Sequence, residues 1–359
     1  MRPIQLALCG TFDRLSYGDT AASLVVEAAL RKRLADLTLV RYSAGARSAS
    51  SWPYDVRPFE EFEHDLPGLT GVLIGNLEPL NLSSPSCSSP PAGGIHESAG
   101  SWLAPALAAS TAGLPVCWNS AAIRDIPEWA RPLLTFALSL SRYVSARDEN
   151  VVAAIRNAGF CGDSPIVPSV LFDIPQLIAA RTVGAPLPEA IQKLLPAGNA
   201  NGDYVVIQDH DLVQPMRATL EHALTQRGIT SVFLSLLDVT TGAEPAARPS
   251  MPAPDPVNTA TLIGHSAGVV ALDESLVTTA LAYGLPVLLP PVTRNVAGLF
   301  AADEVVTGTP DDPDAEYVER FEAGDWSQAA PAERKAVLQR LAALMLEHRE
   351  ELALLETLD

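Results

Sequence analysis

The pentapeptide Gly264-His265-Ser266-Ala267-Gly268 fits G-x-S-x-G, the turn that presents a nucleophilic serine between a strand and a helix. Such a serine needs a histidine base, an acid to orient it, and donors for the oxyanion. Where this turn serves hydrolysis, the chain order is Ser, acid, His, and His348 is the histidine that follows Ser266 here. It lies in "MLEHREELALL", a charged amphipathic segment, and no HGGG-like loop precedes the motif. The hydrolase reading fails for want of partners. What remains is a tight turn: Gly264 ends a strand, Ser266 caps the following helix, and Gly268 lets the two pack closely. Free N–H groups at such a helix start suit a phosphate or carboxylate, with His265 beside them.

A second stretch with chemical content is "GTFDRLSYGD", Gly10 to Asp19. It carries neither G-x-G-x-x-G nor Gly-Lys-Ser/Thr, so it is not one of the familiar phosphate loops. Asp19 reads as a helix cap. Alternatively Tyr17, Gly18 and Asp19 line the rim of a cleft, where the carboxylate takes a proton from a sugar hydroxyl. Three more polar residues follow apolar runs. Asn119 in "CWNSA" suits a sugar hydroxyl or a loop cap. Arg147 in "SARDEN" suits an anionic ligand or an ion pair with Asp148 or Glu149. Arg294 in "PPVTRNVAGLF" suits a ligand or plain solvent.

The elements that must position these residues alternate along the chain. "PIQLALCG", "LTLVRY", "LTGVLIGN", "GLPVCWN", "SRYVSAR" and "SPIVPSV" read as strands. "DTAASLVVEAALRKRLA", "GSWLAPALAASTAG", "IPEWARPLLTFALSL" and "DENVVAAIRNAG" read as helices. A second series gives strands "YVVIQ", "TSVFLSL", "TATLIG", "LPVLLP" and "DEVVTG", with helices "QPMRATLEHALTQRG" and "VVALDESLVTTALAYG". This alternation implies an α/β protein with two parallel-sheet domains and a cleft between their carboxyl edges. The expected division is 1–172 for the first domain and 173–203 for a connection. The second domain then covers 204–330, and a terminal helix covers 331–359. "NLSSPSCSSPPAGGIHES" and "TTGAEPAARPSMPAPDPVN" read as surface loops.

Bulk properties narrow the partners. The 359 residues include 42 acidic and 24 basic ones, a net charge of -18, so nucleic acid is not an expected partner. The four cysteines, Cys9, Cys87, Cys117 and Cys161, are scattered, which argues against a disulfide framework or a zinc site and for a reducing cytoplasm. No uncharged apolar run reaches membrane-spanning length.

"GTFDRLSYGD", followed by an amphipathic helix, resembles the N-terminal signature of the polysaccharide pyruvyl transferases. The resemblance continues through "IHESAGSWLAPALAASTAGLPVCWNSAAI", "SRYVSARDENVVAAIRNAGF" and "VPSVLFDIPQL", and returns at "TALAYGLPVLLP". It implies two Rossmann-like domains of GT-B type. The implied reaction moves a pyruvyl group from phosphoenolpyruvate to a sugar of a cell-surface or exported polysaccharide, as a ketal, with release of phosphate. It also implies no metal or organic cofactor, a saccharide acceptor (free or lipid-linked), and a cytoplasmic setting, in solution or at the inner membrane face. Asp19 and His265 take the catalytic places, and Tyr17, Gly18, Asn119, Arg147, Ser266 and Arg294 the binding places. Two positions depart from the pattern. Gly75-Asn76-Leu77 stands where a triple glycine is common, and Ser275 falls where the second-domain histidine is expected, leaving His265 as its substitute. A GT-B glycosyltransferase using a nucleotide sugar is the alternative. There the Gly264 turn would hold the pyrophosphate and Asp273 or Glu274 the ribose. A non-catalytic relative with the same architecture is the third reading.

Overall fold

The computed structural model describes residues 3–14, 16–50, 52–75, 80–81, 100–124, 126–179, 189–193, 204–210, 213–236, 250–252, 255–290 and 305–307. Arg294, Cys87, the Asn76-Leu77 pair and the expected terminal helix lie outside these residues.

The first sheet contains β1 (Ile4–Cys9), β2 (Leu37–Ser43), β3 (Val56–Pro58), β4 (Gly71–Ile74), β6 (Val116–Ala121) and β8 (Tyr143–Ala146). A separate short pair, β5 (Leu80–Asn81) and β7 (Ile123–Arg124), stands beside it. The sheet order is β3-β2-β1-β4-β6-β8, and every pairing is parallel. The second sheet contains β9 (Tyr204–Gln208), β10 (Thr230–Ser235), β11 (Ser250–Pro252), β12 (Gly268–Val270), β13 (Val287–Leu289) and β14 (Val305–Thr307). Its order is β11-β10-β9-β12-β13-β14, again parallel throughout. Counted within each sheet, both follow 3-2-1-4-5-6, the doubly wound order in which the winding reverses between strands one and four.

Helices cover both faces. The first sheet carries α1 (Tyr17–Arg31), α2 (Phe62–Asp65), α3 (Gly100–Thr111), α4 (Arg131–Ser139) and α5 (Glu149–Asn157). The short α6 (Glu189–Gln192) precedes the second sheet, which carries α7 (Gln214–Gln226), α8 (Pro256–Gly264) and α9 (Glu274–Ala282). One face of the first sheet packs Val72, Ile74 and Trp118 against Trp102, Leu134 and Ile155 of the helices. α1 contributes to two cores. Leu24 and Val26 pack toward Leu8 and Leu73 of the first sheet. Tyr17, Ala21 and Val25 join the core of the second domain, with Leu171, Ile263 and Leu276. A 3-10 segment, Val170–Gln176, supplies Leu171 and Ile174 to that shared core.

Four local expectations change. "SPIVPSV" is not a strand: it makes a single bridge, Ile166 to Ala146, because Pro165 and Pro168 offer no N–H to a ladder. "TATLIG" is the body of helix α8 rather than a strand. Asp255 caps that helix by accepting from Val257 N (2.9 Å) and Asn258 N (3.3 Å), and Pro256 sits where a first-turn proline is tolerated. "VVALDESLVTTALAYG" divides into β12 and α9, with Asp273 as the cap between them. Strands β3 and β11 are short additions that alternation alone did not mark.

Candidate functional site

In a parallel sheet all strands end on one edge, and the reversal of winding opens a crevice there. In the first domain that crevice lies beyond β1 and β4. The chain leaves β1 at Gly10 and enters α1 behind Ser16, whose Oγ accepts from Asp19 N at 3.3 Å. Ser16 is therefore the cap, and Asp19 lies within the first turn. The Asp19 side chain is fully buried and accepts from Thr11 Oγ1 at 2.9 Å. Tyr17 is 3% exposed, and its hydroxyl is bonded to Thr279 Oγ1 of α9 at 2.9 Å. Burial pushes the Tyr17 phenol far above its ordinary range. Gly18 is buried in the same turn. These three residues were expected on a cleft rim. They stand inside the domain contact instead, because α1 is packed between the first sheet and the second domain.

Beyond β4 and β6 lies a small pocket of ≈ 30 Å³, lined in part by Phe12, Ser23, Gly75, Asn119 and Ser120. That is room for about two waters. Asn119 is half-buried, one residue before Ser120, which adopts φ 48°. A left-handed serine is strained unless its surroundings hold it. Here Ser120 N donates to Ser145 Oγ (2.8 Å) and Ser120 Oγ donates to Val167 O (2.9 Å). Gly75 permits the close approach of the two strand ends: a Cβ there would meet Asn119 O at 2.6 Å.

Arg147 leaves the end of β8, is 8% exposed, and forms an ion pair with Glu274, the first residue of α9. The partner is neither Asp148 nor Glu149, the two that the sequence offered, and Asp148 is otherwise engaged: it caps α5 by accepting from Val151 N at 2.9 Å. The Arg147–Glu274 pair joins the carboxyl edges of the two sheets. Around Glu274 the second crevice is acidic and amide-rich. Gln208, at the end of β9, accepts from Leu272 N (2.7 Å) and Asp273 N (2.9 Å). Asp273 accepts from Ser275 N (2.9 Å), Leu276 N (3.2 Å) and the Ser275 hydroxyl. The positive end of α9 is thus already met by two carboxylates. Nearby, α7 begins without a side-chain cap, and its Arg217 lies 3.3 Å from Asp209 and stacks over Phe233 at 3.8 Å.

His265 and Ser266 fall elsewhere. His265 is the C-cap of α8, with Nδ1 2.8 Å from Thr261 O. Ser266 Oγ donates to Ile263 O at 2.8 Å, and Ala267 N donates to Tyr204 O at 2.7 Å before β12 begins. The turn therefore runs from helix to strand, the reverse of a nucleophile elbow. Ser266 does not cap α9; Asp273 does. The turn sits at the amino edge of the second sheet, opposite Arg147 and Glu274. Helix carbonyls face it, so it offers no cluster of free N–H groups to an anion. Gly264 has a packing reason: a Cβ there would stand 2.9 Å from the Tyr283 ring.

Sequence reasoning missed Gln208 as the closing group of the second crevice and Glu274 as the partner of Arg147. Its place as the polar last residue of "YVVIQ" was the available signal for the first. For the second, only the three-dimensional meeting of two distant strand ends supplies one. Among the described residues, no three His, Cys, Asp or Glu side chains gather as metal ligands would, and no helix is long and apolar enough to cross a membrane.

No family model matches the chain. The NADP/NAD-dependent aldehyde dehydrogenase PuuC of Escherichia coli (strain K12) is 72% identical over 39 residues, 11% of this chain and 8% of that protein's length. Solved structures match over nearly the whole chain at low identity. A Listeria monocytogenes chain assigned as a UDP-N-acetylglucosamine 2-epimerase matches with TM-score 0.58 at 11% identity, over 98% of each chain. The UDP-GlcNAc 2-epimerase of Neisseria meningitidis, bound to UDP-GlcNAc, matches with TM-score 0.55 at 13% identity, over 89% of this chain and 90% of its own. Anabaena Alr3699/HepE, in complex with UDP and glucose, matches with TM-score 0.51 at 14% identity, over 97% and 99%. The fold is GT-B-like, with two Rossmann-like domains.

Proposed function

We propose that the protein is a GT-B-type enzyme that takes a nucleotide-activated sugar between its two domains. The observation that carries this reading is the Arg147–Glu274 ion pair, which bridges the two carboxyl edges where such folds place ligands. A nucleoside diphosphate brings anionic oxygens, which suit a guanidinium, and ribose hydroxyls, which suit a carboxylate acceptor. Entry of the diphosphate would draw Arg147 away from Glu274 and leave Glu274 and Asp273 to accept from the ribose. The structural neighbours named for UDP-sugar chemistry add support at the level of architecture. Asn119 stands on the first-domain side of this site, while the buried Tyr17-Gly18-Asp19 turn, His265 and Ser266 lie outside it. In the same reading the domains divide as 1–172 and 204–330, with the Val170–Gln176 segment working as shared packing rather than as slack linker.

A second reading keeps the pyruvyl transfer implied by the resemblance. Arg147 favours it, since it ends β8 at the cleft and would serve a phosphoenolpyruvate carboxylate or phosphate equally well. One experiment separates the two. Thermal melts are recorded with UDP, ADP and GDP, their sugar conjugates, and phosphoenolpyruvate. A nucleoside diphosphate at a hundredfold excess over its Kd should add about 2.7 kcal/mol of stability, and Arg147→Ala should abolish that shift. Stabilisation by phosphoenolpyruvate alone would replace the nucleotide reading with the pyruvyl one. No shift from any of them would remove both.

A further inference from the structure

Gln208 ends β9, at the carboxyl edge where the winding of the second sheet reverses between β9 and β12. It is 6% exposed. A buried carboxamide has to place two lone pairs on Oε1 and two N–H groups on Nε2. Here Oε1 accepts from Leu272 N (2.7 Å) and Asp273 N (2.9 Å). Two backbone donors on one branch fix that branch as the oxygen, so the amide cannot turn over without losing both bonds. The other branch is left over: Nε2 donates to no group among the described residues. Buried polar side chains are rarely left in that state without a use. Asp273 shows the complementary pattern. Its Oδ1 accepts from Ser275 N, Leu276 N and the Ser275 hydroxyl, while its Oδ2 accepts from nothing among the described residues.

One spare donor and one spare acceptor thus sit on residues joined by a hydrogen bond. The group that satisfies both at once is a hydroxyl, which accepts through its oxygen and donates through its proton. A phosphate oxygen would suit Nε2 alone and be repelled by Asp273, by Glu274 next to it and by Asp209 next to Gln208. We propose that Gln208 is a ligand-binding residue: its Nε2 donates to a ribose hydroxyl of the nucleotide, and that hydroxyl donates to Asp273 Oδ2. The inference rests on the nucleotide-sugar reading above and adds to it the group that tells ribose from deoxyribose. A carboxylate alone accepts from any hydroxyl in reach. A fixed amide donor beside it also requires an oxygen at one position, so a deoxy sugar leaves both partners unpaired.

Titration calorimetry of the full chain with UDP, ADP and GDP, and with the 2′-deoxy and 3′-deoxy form of each, tests it. The wild-type chain should bind the ribose form of its nucleotide about tenfold more tightly than one of the two deoxy forms. Gln208→Glu keeps an oxygen for Leu272 N and Asp273 N but turns the donor branch into an acceptor. It should bind the ribose form about tenfold more weakly and no longer prefer it. A wild-type chain that binds all three forms equally overturns the assignment and leaves the nucleotide reading in place, as does an undiminished preference in Gln208→Glu. A chain that binds none of these nucleotides loses both. Should Gln208→Glu not fold, the wild-type complex decides: a crystal structure with the bound nucleotide should show a ribose hydroxyl within hydrogen-bond distance of Nε2, and hydroxyls placed elsewhere overturn the proposal.

Discussion

Glu27, on α1, accepts from Arg31 one turn later and from the buried Arg41 of β2. Burial alone would raise its pKa. The hydrogen bonds and charges of Arg41 and Arg31 outweigh burial and hold the carboxyl below its ordinary value of 4.5. A depressed folded pKa means that the native state binds fewer protons than the unfolded chain. The contribution is therefore complete above the ordinary value and is lost as pH falls through the folded one. Glu27→Gln should cost about 1–2 kcal/mol at neutral pH, discounted for the solvent that reaches this side chain. The cost should shrink toward zero in acid, and paired urea denaturation curves at the two conditions would show it. A constant cost across pH would place the effect in packing rather than charge. The Glu27–Arg31 half of this cluster is legible in sequence as a four-residue spacing. Arg41 is not, because its approach depends on how α1 lies across β2. Arg147 repeats the lesson: its place at a strand end is legible, but its partner is 127 residues away.

Among elements, α8 is where sequence pattern and structure part. Thr259, Thr261 and Ile263 give the segment the look of a strand. The Asp255-Pro256 start and burial of Ala260, Leu262 and Ile263 against the second-domain core override that preference. The consequence reaches the G-x-S-x-G motif, whose glycine proves to be a matter of space. A methyl at Gly264 would strike a Tyr283 ring that is itself tethered, since Tyr283 OH donates to Ile178 O at 2.9 Å. Gly264→Ala should destabilise the protein by about 1–3 kcal/mol through overpacking. Chemical denaturation measures this directly, and a neutral substitution would show that the Tyr283 tether yields. The strands were easier to read, because fully buried parallel strands appear as continuous apolar runs such as "YVVIQ" and "LPVLLP". Short edge strands such as β3 and β11 carry too few apolar residues to leave that mark.

For the whole molecule, the alternation of strands and helices was enough to give two doubly wound sheets. It could not tell which edge each turn would occupy, and that is what separated Arg147 and Glu274 from His265 and Ser266. Nor could it show that the domains share a core through α1, the Val170–Gln176 segment, α8 and α9. Separating them would expose Tyr17, Val25, Leu171 and Ile174, at about 1.5–3 kcal/mol for each large side chain. Scanning calorimetry should therefore record one cooperative transition, and two resolved transitions would mean that the shared core contributes little. The bond between Tyr17 and Thr279 and the ion pair between Arg147 and Glu274 close the same seam. In the proposed reaction a ligand that enters between the domains must part this seam, so turnover is expected at the tempo of a hinge. Its rate should slow in viscous solvent and be blind to isotopic substitution at the reacting bond.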